Sequence, residues 1–157
     1  MKKTFDYRGS IILGMHDAIV SLTGLIAGLS FAFADPNIII LSCIISSITA
    51  SLSMGAANYL AVKTTDKNHA IRAAICTCVA YMITCIILIS PFMLFQNRLL
   101  AVSSVFALSV LIIYFFNFIF FRKNRFYKHF FEMLTICFVV SVIAFLIGEG
   151  AKVFMNI

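Results

Sequence analysis

Five long apolar stretches, separated by short polar connections, occupy almost the whole sequence. They fall at about Ile11 to Ala34, Ile38 to Ala61, Ala70 to Phe95, Leu99 to Phe121 and Phe130 to Phe154. Each supplies the roughly 20 mostly apolar residues that an α-helix needs to cross about 30 Å of hydrocarbon. Most of the charge lies in the connections Asp35-Pro36-Asn37, Lys63 to His69, Gln96-Asn97-Arg98 and Arg122 to His129. The pattern predicts an all-α membrane protein of five transmembrane helices, with residues 1–157 forming a single transmembrane domain. Composition removes the alternatives. Of the 157 residues 62% are hydrophobic and only 11% charged, with a mean hydropathy of +1.07, whereas soluble domains carry about 25% charged residues. With 7 Gly, 2 Pro and 5 Cys scattered in apolar runs, neither a linker, a triple helix nor a disulfide framework fits. The first span has no small-residue cleavage site and is followed by further spans, which argues against a signal peptide, and no lipidation motif is visible at the ends.

The connections also carry a topology signal, because basic residues resist translocation. Lys2, Lys3, Arg8, Lys63, Lys67, Arg72, Arg122, Lys123, Arg125 and Lys128 share one side of the five-span scheme, and only Arg98 and Lys152 lie on the other. The expected orientation has the N-terminus in the cytoplasm and the C-terminus outside. The net charge of +6 then reflects topology and attraction to anionic headgroups. No basic element is long enough to track phosphates, so no nucleic-acid partner is expected. Met1 to Ser10 is read as a short interfacial helix, with Phe5 and Tyr7 in the headgroup region.

An ionisable group inside a span costs about 2.5–3.5 kcal/mol at the centre on insertion scales, so each one needs a reason. Glu132 and Glu149 lie near span ends, within reach of Arg125 or Lys128 and of Lys152 respectively. Asp17 is about six residues inside the first span, or about 9 Å below the boundary, too deep for so short a side chain to reach water. Asp17, Ser21, Gly24 and Gly28 recur at helical spacing, and the two glycines form a GxxxG element that admits another helix closely. The second span offers a comparable stripe, Ser46, Ala50, Met54 and Asn58, with Ser47, Ser51 and Ala57 beside it, in which Met54 shares the depth of Asp17 and Asn58 lies one turn nearer the cytoplasm. If the stripes face each other, a carboxylate and a thioether meet in one layer. That mixed hard and soft donor set suits Fe²⁺, Mn²⁺ or Co²⁺ better than Mg²⁺ or Ca²⁺. His16, about 100° round the helix from Asp17, is either a further ligand or an interfacial side chain. Cys43, Cys76, Cys78, Cys85 and Cys137 contain no CxxC pair and read as apolar fillers. The candidate metal ligands are thus Asp17, Met54, Asn58 and His16.

The segments Leu13-Gly14-Met15-His16-Asp17-Ala18-Ile19-Val20-Ser21 and Ser51-Leu52-Ser53-Met54-Gly55-Ala56-Ala57-Asn58-Tyr59-Leu60-Ala61-Val62-Lys63 resemble the first and second spans of the vacuolar iron transporter family. Pro91-Phe92, Phe131-Glu132-Met133-Leu134 and Leu146-Ile147-Gly148 are similar to weaker family features. The resemblance implies a five-helix homodimer that exports Fe²⁺, and often Mn²⁺, from the cytosol in exchange for protons, along a path between the first two helices at the dimer interface. Asp17 and Met54 match the family's pathway aspartate and methionine. Where the family usually places Gly and Glu after that methionine, this chain has Ala57 and Asn58. Where some members place Glu and Met before it, this chain has Ser46 and Ala50. Only Lys63 to His69 stands where many members insert a Glu-rich, metal-collecting domain, which makes this a short form.

Taken together, these features predict a divalent metal transporter with protons as counter-substrate, without a resident cofactor, the ion being cargo. Protons and cations compete for one buried carboxylate, which offers a route to antiport, and dimerisation doubles two sparse ligands into four. The alternative is a non-transporting accessory or assembly subunit on the same scaffold, which the Asn58 position and the short connection favour. An enzyme is not expected, because hydrolysis in a bilayer needs paired groups at one depth and Asp17 is the one Asp well inside a span. The compactness of the chain suggests a prokaryotic plasma membrane.

Overall fold

The computed structural model of the chain describes residues 6–32, 35–95, 97–120 and 123–155, with side chains throughout except at 120, 123–126 and 155. It contains α1 (Arg8–Ala32), α2 (Pro36–Lys63), α3 (Ala70–Leu94), α4 (Arg98–Phe120) and α5 (Lys123–Met155). All five are long and apolar enough to cross a membrane, and there is no strand among the described residues. The protein is therefore all-α and integral to the membrane.

The helix boundaries follow local chemistry. Asp35 caps α2 by accepting from the Asn37 backbone N–H at 2.9 Å, and Pro36 opens the helix where a missing N–H does no harm. Asp66 organises the turn before α3, accepting from the Asn68 N–H at 3.1 Å and lying 2.9 Å from His69 Nδ1. Asn97 Oδ1 accepts from the Leu99 N–H at 3.0 Å at the start of α4. Pro91 is tolerated in the last turn of α3, which ends at Leu94.

Two boundaries differ from the hydropathy pattern. The basic segment from Arg122 to His129 was expected as a connection, yet α5 is already helical at Lys123 and runs for 33 residues. No Gly or Pro interrupts the segment, and its Lys and Arg residues are good helix formers, so the span simply continues out of the hydrocarbon. At the other end of the chain, Arg8 to Ser10 form the first turn of α1 and not a separate interfacial helix, while Met1 to Phe5 lie outside the described residues.

The central element is α1, which packs most extensively on α5 and α3 and much less on α2, while α2 rests mainly on α3. Met15, Ala18, Ile19, Leu22 and Ile26 of α1 are all buried in the shared core. The outward faces of α2, α4 and α5 expose Leu41, Ile45, Leu111, Phe118, Phe138 and Ile147, as lipid-facing surfaces do. Small residues set the closest approaches. Gly14 meets the Thr77 backbone, and Gly28 and Gly148 bring α1 and α5 together so closely that a Cβ on Gly148 would sit 2.5 Å from the Gly28 carbonyl oxygen. The helix admitted by the GxxxG element is therefore α5, since Gly24 and Gly28 lie against Val140 and Ala144.

Candidate functional site

Asp17 lies nine residues from Arg8, the start of α1, and Met54 nine residues from Lys63, the end of α2. At about 1.5 Å per residue, both sit about 13 Å along their helices from the face that bears the α2–α3 connection, called here the basic face. Both are half-buried. Asp17 is close enough to Tyr81 and Cys85 of α3 to interact with them electrostatically, while Met54 and Ala50 pack against the apolar core. One turn beyond Asp17, Ser21 Oγ and the buried Tyr81 hydroxyl share a hydrogen bond of 2.7 Å. A carboxylate on α1, a thioether on α2 and a hydroxyl pair joining α1 to α3 thus stand within about one turn of a common depth.

The other two candidate residues serve different neighbours. Asn58 is buried, and its Nδ2 donates within reach of Thr77 Oγ1 at 2.7 Å, Ser10 Oγ at 3.0 Å and the Ala73 carbonyl at 3.2 Å. Thr77 Oγ1 in turn lies 3.0 Å from the Ser10 carbonyl and 3.1 Å from that of Ala73. The amide expected to stand one turn below Met54 as a ligand is instead a tie between α1, α2 and α3. Asn58→Ala is accordingly expected to lower stability by about 1–2 kcal/mol, read as a lower melting temperature in detergent. A metal-binding role alone would leave that temperature unchanged. His16 is half-buried and interacts electrostatically with His129 of α5, so it serves a different helix pair from Asp17.

The face that α2 buries is offset by one residue from the expected stripe. Cys43, Ser47, Ser51, Gly55 and Asn58 are buried, whereas Ser46 is exposed and Ala50 and Met54 are half-buried. The buried set packs on α3: Cys78 Sγ donates to the Ser51 carbonyl at 3.1 Å, and Gly55 abuts Cys78 Sγ. On α3 the matching face is Ala70, Ala73, Thr77, Tyr81 and Thr84, all buried. Thr77 and Tyr81 were not singled out from sequence, although small and hydroxyl-bearing residues at intervals of three and four mark that face. Glu132, for which Arg125 or Lys128 was the expected partner, has its Oε2 3.6 Å from His129 Nδ1, one turn earlier. No ion pair joins Glu149 to Lys152 among the described residues. The five cysteines are free, and Cys43, Cys85 and Cys137 fill the core.

Among the described residues, no three His, Cys, Asp or Glu side chains converge as a metal-holding group. One copy of the chain thus offers a sparse donor set, a carboxylate with a thioether at equal depth, in place of a closed ligand cage. A comparison with curated proteins finds no match. Residues 9–69, which comprise nearly all of α1, all of α2 and the connection to α3, match the family model described as VIT family. That is the region that carries both Asp17 and Met54, so this N-terminal part of the chain is similar to the VIT family.

Proposed function

We propose that the protein exports a divalent first-row metal ion, Fe²⁺ or Mn²⁺, from the cytosol in exchange for protons, with Asp17 and Met54 as the pathway ligands. The observation that carries the proposal is the half-buried Asp17 carboxylate at the depth of Met54, on the two helices that match the family. Carboxylate oxygen and thioether sulfur together favour borderline ions over Mg²⁺ and Ca²⁺. Asn58 supports the scaffold, and His16 belongs to the α1–α5 side. The basic face is cytoplasmic by the distribution of Lys and Arg.

Two donors from one copy underfill the shell of such an ion, so the working unit is a homodimer in which two copies of each ligand meet about a common axis. The exposed flank of α2 supports this: Ser46, Ser53 and Ala57, with Ala50 half-buried between them, make a small and polar stripe beside Met54 on a helix otherwise studded with exposed Ile and Leu. Such a stripe suits contact with another helix better than contact with lipid. Proton coupling follows from competition, because a proton and a cation cannot both occupy one carboxylate.

Reconstitution into proteoliposomes tests this. Mn²⁺ and Fe²⁺ are expected to move toward the acidic compartment, with alkalinisation of that compartment, whereas Mg²⁺ and Ca²⁺ move far more slowly. Metal flux indifferent to the pH gradient would remove the antiport, and absence of flux for every ion would favour the accessory-subunit alternative. The observation on the side of that alternative is Asn58, locked among Ser10, Ala73 and Thr77 where the family usually has a carboxylate.

A further inference from the structure

A groove of about 470 Å³ opens between α1, α3 and α4, away from the flank of α2 that carries Met54. Its walls are hydrocarbon, from Ile11, Val79, Ile83, Ile87, Ile112 and Phe116. The hydroxyl of Thr84, which also lines it, is bound to the Ala80 carbonyl at 2.8 Å and offers no donor to an occupant. Along α3 the groove runs from Ile75 to Ile87, a rise of about 18 Å. One leaflet of a bilayer core is about 15 Å deep, half of the roughly 30 Å total. The groove therefore has the length and polarity of a single acyl chain lying along the helix.

Its mouth is charged. Arg72 precedes Ile75 and Cys76 by three and four residues on α3, and Arg8 precedes Ile11 by three on α1, spacings that put each arginine on the groove-lining face of its helix. Arg72 is exposed. Arg8 has Asp6 beside it, Nε to Oδ1 3.8 Å, with both side chains about 70% exposed, a loose pair of the kind that contributes little in water. A guanidinium at such a site can therefore exchange that partner for a phosphate, to which its forked donors are well matched.

We infer that this groove is a binding site for one anionic phospholipid, its acyl chain along α3 and its phosphate between Arg8 and Arg72. A groove bordering hydrocarbon is filled by lipid of any class. The two arginines make the choice of headgroup, because an anionic lipid gains an attraction at the mouth that a zwitterionic one does not. The site is independent of metal transport, since it uses none of the residues of the α1–α2 layer.

Native mass spectrometry of the delipidated full-length protein, titrated with phosphatidylglycerol or phosphatidylcholine of identical chains, tests the inference. One phosphatidylglycerol per chain is expected to be retained preferentially, with roughly fivefold of the preference lost for each arginine replaced. The double variant R8Q/R72Q then binds both lipids alike. Lys63→Gln, at a residue seated over the Tyr59 ring on α2, keeps the preference. Val79→Trp, which fills the groove, is expected to lose both lipids while its helical circular dichroism is unchanged. Equal binding of the two lipids by the wild-type protein would overturn the site. So would a preference that survives R8Q/R72Q, undiminished binding by Val79→Trp, or full competition by glycerol 3-phosphate, which would reduce the site to a headgroup contact.

Discussion

Asp17→Ala is expected to reduce Mn²⁺ and Fe²⁺ flux in proteoliposomes at least about a hundredfold, because even groups that only orient a metal ligand change affinity 10–100-fold when removed. The side chain is half-buried, so its loss removes a charge that water does not fully replace. Asp17→Asn, which keeps the shape and deletes the charge, is expected to fall as far, and that equality separates metal binding from packing. Met54 gives a different signature. Met54→Leu preserves volume, a swap that costs less than about 1.5 kcal/mol of stability, while deleting the sulfur donor. Flux of Fe²⁺ and Co²⁺ is expected to drop about tenfold and that of the harder Mn²⁺ by less. Wild-type flux in both Asp17 variants would take the carboxylate out of the pathway. An equal loss for all ions in Met54→Leu would make the sulfur a packing group.

The largest effect on folding is expected at Gly14. A Cβ there would run into the carbonyl group of Thr77, which is backbone and cannot swing aside. To admit one methyl group, α1 and α3 must separate, and the bond from Thr77 Oγ1 to the Ser10 carbonyl, which joins the two helices, lengthens with them. Gly14→Ala is therefore expected to destabilise by about 3 kcal/mol, the upper part of the range for overpacking. Gly9→Ala, on the same helix but with nothing within 4 Å of the added atom, is expected to be neutral or to gain up to about 0.5–1 kcal/mol from reduced backbone freedom. Melting temperatures in detergent check the pair. If the two variants melt alike, α1 and α3 do not approach as described.

What the sequence by itself determined is what depends on local transfer energies. An apolar run of about 20 residues fixes a helix of spanning length whatever its neighbours are, so the existence and order of α1 to α5 were legible without coordinates. Asp17 was legible for the same reason, since a carboxylate amid Leu13 to Val20 conflicts with its solvent wherever the helix packs. Tertiary structure decided which face meets which neighbour. In water, the buried face of a helix is the apolar one. In lipid, both faces are apolar, and the interior is marked only by small or weakly polar residues that name no partner. Gly24 and Gly28 could thus be read as admitting some helix, but only the packing made it α5. Ser46, Ala50 and Met54 lay one residue beside the set that α2 buries. Asn58, indistinguishable in sequence from a ligand, ended up tying α2 to Ser10 and Thr77, because an amide enclosed by three helices lowers its energy most by finding protein acceptors where water is excluded.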